Sequence, residues 1–231
     1  MGFSIELCSM SDAFCFGKMH IAHCLSKCFA FGDPMAKKKQ KVTIKPTFKI
    51  ENIVASAELG LELDLYTIAS KVKDVEYEPE QFPGAILKLK EPKTSLLLFK
   101  NGKIICTGGK NEHEVGAAIE KTLKMLINYS KVKPPKNFKP KFVVQNIVAS
   151  AALGVELDLY TIASKVKDVE YEPEQFPGAI LKFLSPKTSL LLFKNGKIIC
   201  TGGRSESDVN TALNMAAKLL APYSSPLPDK K

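Results

Sequence analysis

Histidine, the side chain best suited to acid–base catalysis near neutral pH, is scarce in this chain of 231 residues. Only three are present, and His20 and His23 both lie near the N-terminus. The third, His113, is replaced by Ser207 in the internal repeat described below, so no histidine site is duplicated. The sequence also shows no Ser/His/Asp set, no glycine-rich phosphate loop and no cluster of metal ligands. We therefore expect the protein not to be an enzyme.

Cysteine is concentrated at the N-terminus. Four of the six cysteines lie in residues 1–34, namely Cys8, Cys15, Cys24 and Cys28. The same segment contains two histidines. These ligand types bind zinc, but the C-x2-C pairs of a zinc ribbon or finger are missing, so we predict no metal and no cofactor. Zinc stays an alternative, beside a disordered extension or a start codon assigned too early, with Met35 as the true start. Cys106 and Cys200 lie inside apolar strands and are expected to be small buried core residues.

An internal repeat organises the rest of the chain. Residues 52–109 recur at 146–203, a shift of 94 positions. Five aligned positions differ: Glu58/Ala152, Leu61/Val155, Leu89/Phe183, Lys90/Leu184 and Glu91/Ser185. This period is too long for a solenoid, whose repeats have about 20–50 residues. The repeat therefore predicts two fused halves about a pseudo-twofold axis, and a target that is itself nearly two-fold symmetric.

The composition and net charge of the chain indicate which kind of partner it binds. The 45% of hydrophobic residues is enough for a packed core, and the formal net charge of +9 favours polyanions such as nucleic acid. No apolar run reaches the roughly 18 residues of a membrane-spanning helix, and the N-terminus lacks the apolar core of a signal peptide. We expect an intracellular protein without a membrane partner.

Each repeat is expected to contain a strand, a helix, four strands and a helix. We place the first strand at 47–56 and 141–150, a helix at 63–69 capped by Asp64, strands near 73–78, 84–89, 94–99 and 103–108, and a helix at 111–128. The helix at 205–220 begins with a capping-box pattern at Ser205 and Asp208. Asn101-Gly102 and Asn195-Gly196 predict type I′ hairpins.

These elements divide the chain into six segments. They are a cysteine-rich extension at 1–34, a basic arm at 35–46, the first repeat at 47–133, a proline-rich linker at 134–140, the second repeat at 141–223 and a tail at 224–231.

The strands do not alternate apolar and polar residues, as strands exposed on one face should. The segments 95–99, 104–107 and 143–148 are apolar on both sides of the pleat. Two helices per half can cover one face only, so an apolar face remains for a partner, which marks a binding surface. Another interpretation is a sheet covered on both faces by its helices or by dimerisation. A third is a binding module whose apolar face takes a protein or a lipid.

The two long motifs of the repeat carry a family resemblance. The run YEPEQFPGAILKLKEPKTSLLLFKNGKIICTGGK, its second copy ending in TGGR, and NIVAS at the head of both copies resemble the TATA-box-binding protein family, more the archaeal type than the eukaryotic. The resemblance covers about residues 44–222. It implies an α+β fold of TBP type: a pseudo-twofold saddle in which each repeat is a curved antiparallel sheet with two helices on the convex face.

The resemblance also implies a function. A general transcription factor of this kind binds A·T-rich promoter DNA in the minor groove, bends it, and recruits transcription factor B and RNA polymerase. It would act in the cytoplasm of an archaeal cell, associated with the nucleoid, or in the nucleus of a eukaryote.

Site residues carry over position by position. The wedges that open base steps would be Phe82, Phe99, Phe176 and Phe193. Groove contacts would come from Asn52, Asn146, Thr107, Thr201, Val54, Val148, Leu97, Leu191, Ile105 and Ile199. Phosphate contacts would come from Lys88, Lys93, Lys103, Lys182, Lys187 and Lys197. Each phenylalanine could instead be a core ring, and each lysine ordinary solvated surface.

The acidic stretch before the second wedge implies a protein contact, because in the family this stretch binds transcription factor B. Here its residues are Glu172, Glu174 and Gln175, although the first half has the same sequence at 78–81. The wedge, asparagine, threonine and lysine positions match one for one between halves. We therefore expect the isolated protein to bind a TATA element in both orientations with little preference, and polarity to come mainly from transcription factor B.

Overall fold

The protein is described by a computed structural model over residues 44–130, 132, 134–135 and 138–227. Residues 1–34, with the zinc alternative, and most of the basic arm lie outside the described residues.

The two halves share seven elements in the same order, and the second half has two further short strands, Val155–Leu157 and Ser224–Pro226. The first half contains β1 (Thr47–Glu58), α1 (Leu65–Lys71), β2 (Val75–Glu76), β3 (Ala85–Leu89), β4 (Thr94–Leu98), β5 (Lys103–Gly109) and α2 (Glu112–Leu126). The second half contains β6 (Phe142–Ala152), β7 (Val155–Leu157), α3 (Leu159–Lys165), β8 (Val169–Glu170), β9 (Ala179–Leu184), β10 (Lys187–Leu192), β11 (Lys197–Gly203), α4 (Glu206–Leu220) and β12 (Ser224–Pro226). A 3-10 turn follows each long helix, at Ile127–Tyr129 and Ala221–Tyr223.

One antiparallel sheet of ten strands joins the halves. Its order is β2-β3-β4-β5-β1-β6-β11-β10-β9-β8, which is symmetric about the β1–β6 pair. At the centre of this pair Ile53 stands opposite Ile147, its own repeat equivalent. The pseudo-twofold axis predicted from the repeat therefore passes between the two first strands.

The helices pack on one face of this sheet. The apolar stripe of α2, with Val115 and Ile119 fully buried, joins the core formed by strand residues such as Ile53, Leu96 and Ile104. The equivalent stripe of α4 does the same in the second half. This arrangement matches the predicted α+β architecture.

Local capping explains where the helices begin. The Asp64 carboxylate accepts a hydrogen bond from Thr67 N at 3.2 Å, as predicted for the cap of α1. The predicted capping box of α4 is also present, since Asp208 N donates to Ser205 Oγ and Ser205 N donates to Asp208 Oδ2. The Arg204 backbone N–H also donates to the Asp208 carboxylate. This hydrogen bond is the main reason why the pKa of Asp208 lies below its usual value of 3.8.

The two strand cysteines are core residues, as expected. Cys106 and Cys200 are fully buried on β5 and β11. Burial raises the pKa of each thiol from 9.0 to about 11, so both stay protonated and poorly nucleophilic at neutral pH.

The predicted turn type is wrong, although the hairpins are present. A type I′ turn needs positive φ at both central residues. Gly102 has φ +76°, but among the described non-glycine residues only Asp74 and Asp168 have positive φ. Gly102 N donates to Phe99 O and Phe99 N to Lys103 O, which makes a three-residue loop with glycine in the left-handed position. A Cβ on Gly102 would collide with the carbonyl oxygen of Leu61, so glycine is required there.

Two further differences concern strands. The strand predicted near 73–78 is reduced to two residues, because residues 78–82 turn back, with Phe82 N donating to Glu78 O at 2.9 Å. The segment predicted as a tail contains β12, which pairs with β7 in a separate two-stranded sheet. In the first half the corresponding contact is a single bridge between Leu63 and Ser130.

Candidate nucleic-acid interface

The face of the sheet opposite the helices, called the open face below, carries a band of half-buried side chains. Along β4 and β5 the fully buried Leu96, Leu98 and Ile104 alternate with the half-buried Leu97 and Ile105. The same alternation recurs along β10 and β11. The helices thus cover every second side chain of each strand, and the side chains between them lie on the open face.

Strand register brings the predicted groove residues into rows. Leu97 pairs with Ile105, which pairs with Ser56 on the other side. In the second half Leu191, Ile199 and Ser150 form the same row. At the centre, Asn52 of one half stands opposite Val148 of the other, and Val54 opposite Asn146. All ten predicted groove residues are half-buried on this face.

The two asparagines are held by backbone geometry. Gly108 N donates to Asn52 Oδ1 at 2.7 Å, and Thr107 Oγ1 lies 3.3 Å from the same oxygen. Gly202 and Thr201 hold Asn146 Oδ1 at the same distances. Gly108 and Gly202 have φ of +102° and +98°, at irregularities where the strand register shifts. Each amide oxygen is occupied, so each amide can offer N–H groups to a ligand. Asn52 Nδ2 also lies 3.3 Å from Thr107 Oγ1, which can accept one of its two hydrogens.

The predicted wedges form two matched ring pairs. The Phe82 and Phe99 ring centroids lie 5.9 Å apart, and those of Phe176 and Phe193 lie 6.0 Å apart. Both pairs are edge-to-face, with 64° between the ring planes. Phe82 and Phe176 are 37% and 40% exposed, so neither is a core ring.

Gly84 and Gly178 position these rings, and the sequence analysis did not single them out. A Cβ on Gly178 would lie 2.7 Å from Phe176 Cε1 and 3.3 Å from Phe193 Cε1. The corresponding distances at Gly84 are the same. A side chain at either glycine would have to displace the rings, so glycine allows the two rings to pack at this spacing. The repeated FPG motif was the available sequence signal.

The predicted phosphate-binding lysines divide into two groups. Lys88 and Lys182 are paired with Glu76 and Glu170, with Nζ to Oε1 distances of 2.6 Å in both halves. Lys103 lies 3.6 Å from Glu58, whereas its equivalent Lys197 has no such partner because Ala152 replaces the glutamate. Lys93, Lys187 and Lys197 have no carboxylate within 4.0 Å among the described residues. All six are exposed.

The predicted protein-binding segment forms a tight exposed turn before the second wedge. Gln175 N donates to Glu172 O at 3.0 Å and Phe176 N to the same oxygen at 2.9 Å. Glu172, Glu174 and Gln175 are all exposed. The equivalent turn at 78–82 has the same hydrogen bonds, so this geometry does not distinguish the two halves.

The described residues include no metal-binding cluster and no membrane-spanning helix. No three His, Cys, Asp or Glu side chains cluster there closely enough to hold a metal ion. None of the described helices is long and apolar enough to cross a membrane.

Both halves of the chain match a known protein family. The family model of transcription factor TFIID, or TATA-binding protein (TBP), matches residues 47–129 and 141–223. The TATA-box-binding protein of Pyrobaculum islandicum is 47% identical over 168 residues, 73% of this chain and 83% of the relative. That of Methanothermobacter thermautotrophicus is 46% identical over 173 residues, 75% of this chain and 94% of the relative.

The fold agrees with these relatives. The solved structure of Methanococcus jannaschii TBP is similar with a TM-score of 0.69 and 41% sequence identity, over 76% of this chain and 98% of that one. The predicted TBP-type fold and the predicted resemblance are both confirmed. With its duplicated strand-helix unit, its ten-stranded sheet and its described helices packed on one face, the chain belongs to the TATA-binding protein family.

Proposed function

We propose that this protein is a general transcription initiation factor that binds A·T-rich, TATA-like promoter DNA in the minor groove through the open face. The observation that carries this proposal is the duplicated ring pair, which packs beside Gly84 and Gly178 at matched positions of the two halves. Two exposed wedges related by a pseudo-twofold axis fit a duplex that is opened at two symmetric steps.

The centre of the open face suits the minor-groove edge of A·T pairs. That edge presents the acceptors adenine N3 and thymine O2 in either orientation of the pair. The amide nitrogens of Asn52 and Asn146 are donors, because Gly108 and Gly202 occupy their oxygens. The surrounding Val, Leu and Ile side chains offer no acceptor for the guanine amino group, so a G·C pair would leave that group unsatisfied.

The ring pairs would then bend the DNA. An inserted apolar side chain unstacks a base step and kinks the duplex, and the kink lets more protein surface reach the groove. Phe176 is 40% exposed and Phe193 contacts it, so the leading ring can enter a step while the second supports it.

The exposed lysines would neutralise phosphates and make binding sensitive to salt. The Glu172–Gln175 turn would contact transcription factor B, which would bring RNA polymerase to the promoter. In this role the protein needs no catalytic group or cofactor, and it would act on the nucleoid in the cytoplasm of an archaeal cell.

The first test replaces the wedges of the second half. The double variant Phe176→Ala, Phe193→Ala should lose DNA bending and most affinity for an A·T-rich duplex, measured by gel shift and by energy transfer between dyes on the DNA ends. Tyr160→Ala is the matched control, because Tyr160 is a 67% exposed aromatic on α3, away from the open face. A double variant that bends and binds DNA like the wild type would show that the wedge assignment is wrong.

A further inference from the structure

A short motif is duplicated immediately before the first strand of each half. Ile44-Lys45-Pro46 corresponds to Phe138-Lys139-Pro140, at the same shift of 94 positions as the core repeat. Both copies lie outside residues 47–129 and 141–223, which match the family model. The family resemblance therefore gives this motif no function, and its duplication indicates a role that is performed twice.

Apolar contacts hold both copies of the motif in place. Ile44 packs against the hydrophobic core. The Phe138 ring lies over Gly60, with its Cζ 3.5 Å from the position that a Cβ on this glycine would occupy. The proline restricts the lysine before it to extended backbone, which leads directly into the strand. Lys45 and Lys139 therefore project from anchored segments at the start of the two central strands.

Lys139 lies beside a predicted wedge and a predicted phosphate contact. A groove of about 1060 Å³ is lined by Phe99, Lys103 and Lys139 among other residues. Ile105, one of the predicted groove contacts on the open face, also lines it. The groove is thus continuous with the open face. A duplex bound there would pass the Lys139 ammonium group where it reaches the wedge.

The wedge of the second half has a matched groove of about 590 Å³. Its lining includes Phe193 and Lys197, which are the repeat equivalents of the wedge and the predicted phosphate contact in the first groove. Thr47, two residues after Lys45, lines the same groove. Each copy of the motif therefore precedes the first strand of one half and lies beside the wedge of the other half.

The motif lysines carry positive charge that no neighbour neutralises. Both are exposed, and no carboxylate lies within 4.0 Å of either ammonium group among the described residues. The position after the proline is not duplicated, since Lys141 corresponds to Thr47. Its additional charge is offset by Glu58, which corresponds to Ala152. The duplicated lysine is the charge that both halves share, and no preferred orientation follows from it.

We infer that Lys45 and Lys139 are a further, duplicated pair of phosphate-binding residues, one beside each end of the bound element. This inference rests on the proposed DNA-binding function. Successive phosphates of one strand follow about every 3.4 Å along the helix axis. A strand that reaches Lys103 therefore brings a neighbouring phosphate to Lys139, and the equivalent strand brings one from Lys197 to Lys45.

The test removes both lysines and measures the salt dependence of binding. The double variant Lys45→Ala, Lys139→Ala should reduce the slope of log K against log salt by about 1.8, the value for two lost phosphate contacts. Gel shifts with an A·T-rich duplex over a salt series measure the slope. The variant Lys45→Arg, Lys139→Arg should keep the wild-type slope, because arginine also binds phosphate.

The matched control is the double variant Lys71→Ala, Lys165→Ala. These exposed lysines are also repeat equivalents, in the last turns of α1 and α3, and their loss removes the same two charges. The control should keep the wild-type slope. Equal slopes in the two alanine variants, or a wild-type slope in Lys45→Ala, Lys139→Ala, would overturn the inference while leaving the proposed function standing. A wild type that does not bind the duplex would overturn the proposed function, and this inference with it.

Discussion

Lys88 and Lys182, two of the predicted phosphate contacts, each form an ion pair in the protein without DNA. Each ammonium group is bound to a glutamate of the neighbouring two-residue strand, and both partners are largely exposed. Exposed ion pairs of this kind contribute about 0–1 kcal/mol to stability. In the proposed complex a phosphate would therefore replace the glutamate at little cost.

Removing one such lysine should change the salt dependence of binding. Lys182→Ala should weaken binding to an A·T-rich duplex and reduce the slope of log K against log salt by about 0.9, the value for one lost phosphate contact. Gel shifts over a salt series measure both quantities. Lys218→Ala is the control, because this lysine is exposed in the last turn of α4, on the helix-covered side, and should leave the slope unchanged.

The same series separates DNA from the alternative apolar partner. Binding of a lipid or protein through an apolar surface should hold or strengthen as salt rises, whereas lysine–phosphate binding must weaken. An unchanged slope in Lys182→Ala would remove Lys182 from the set of phosphate contacts.

At the scale of single elements, the two long helices begin with different caps. The helix α4 begins with a complete capping box at Ser205 and Asp208, while α2 begins with Asn111, whose side chain accepts from Glu114 N. These caps fix where each helix begins under the sheet, and so help hold the strands that carry the open face.

Ser205→Ala should lower the free energy of unfolding by about 1 kcal/mol, because the N–H of Asp208 loses its acceptor. Urea denaturation followed by circular dichroism measures the change. The matched control is Ser207→Ala, an exposed serine in the first turn of the same helix that does not cap it. Equal losses for the two variants would show that the cap contributes nothing beyond helix propensity.

At the scale of the whole molecule, the proposed DNA contacts all follow Met35. The family match begins at residue 47, and its first candidate contact residue is Asn52. The cysteine-rich segment 1–34 contributes no residue to this surface in our proposal.

A protein that begins at Met35 should therefore bind an A·T-rich duplex as tightly as the full chain and unfold at the same temperature. Affinity is measured by gel shift and unfolding by calorimetry, each with and without a zinc chelator. A large loss of affinity or stability on truncation, reproduced by the chelator in the full chain, would instead support a zinc site at the N-terminus.

The sequence by itself determined the duplication, the order of the elements shared by the two halves, and the helix caps at Asp64 and Ser205. A cap is a local feature, because it needs only a side-chain oxygen three residues before a backbone N–H. The repeat is visible directly, because the two segments have nearly identical residues. The family motif also allowed the candidate contact residues to be named, although their roles in DNA binding stay predictions.

Only the tertiary structure decided which face of the sheet stays open, because apolar residues occupy both sides of the strands and the choice depends on where α2 and α4 pack. It also decided the turn at Gly102, where the carbonyl of Leu61 excludes a side chain, and the pairing of β12 with β7. The hydrogen bonds from Ser150 Oγ to Glu51 and from Gln145 to Ser56 Oγ depend on two bulges between β1 and β6, strands almost a hundred residues apart. Such register shifts arise from long-range pairing, which no local pattern records.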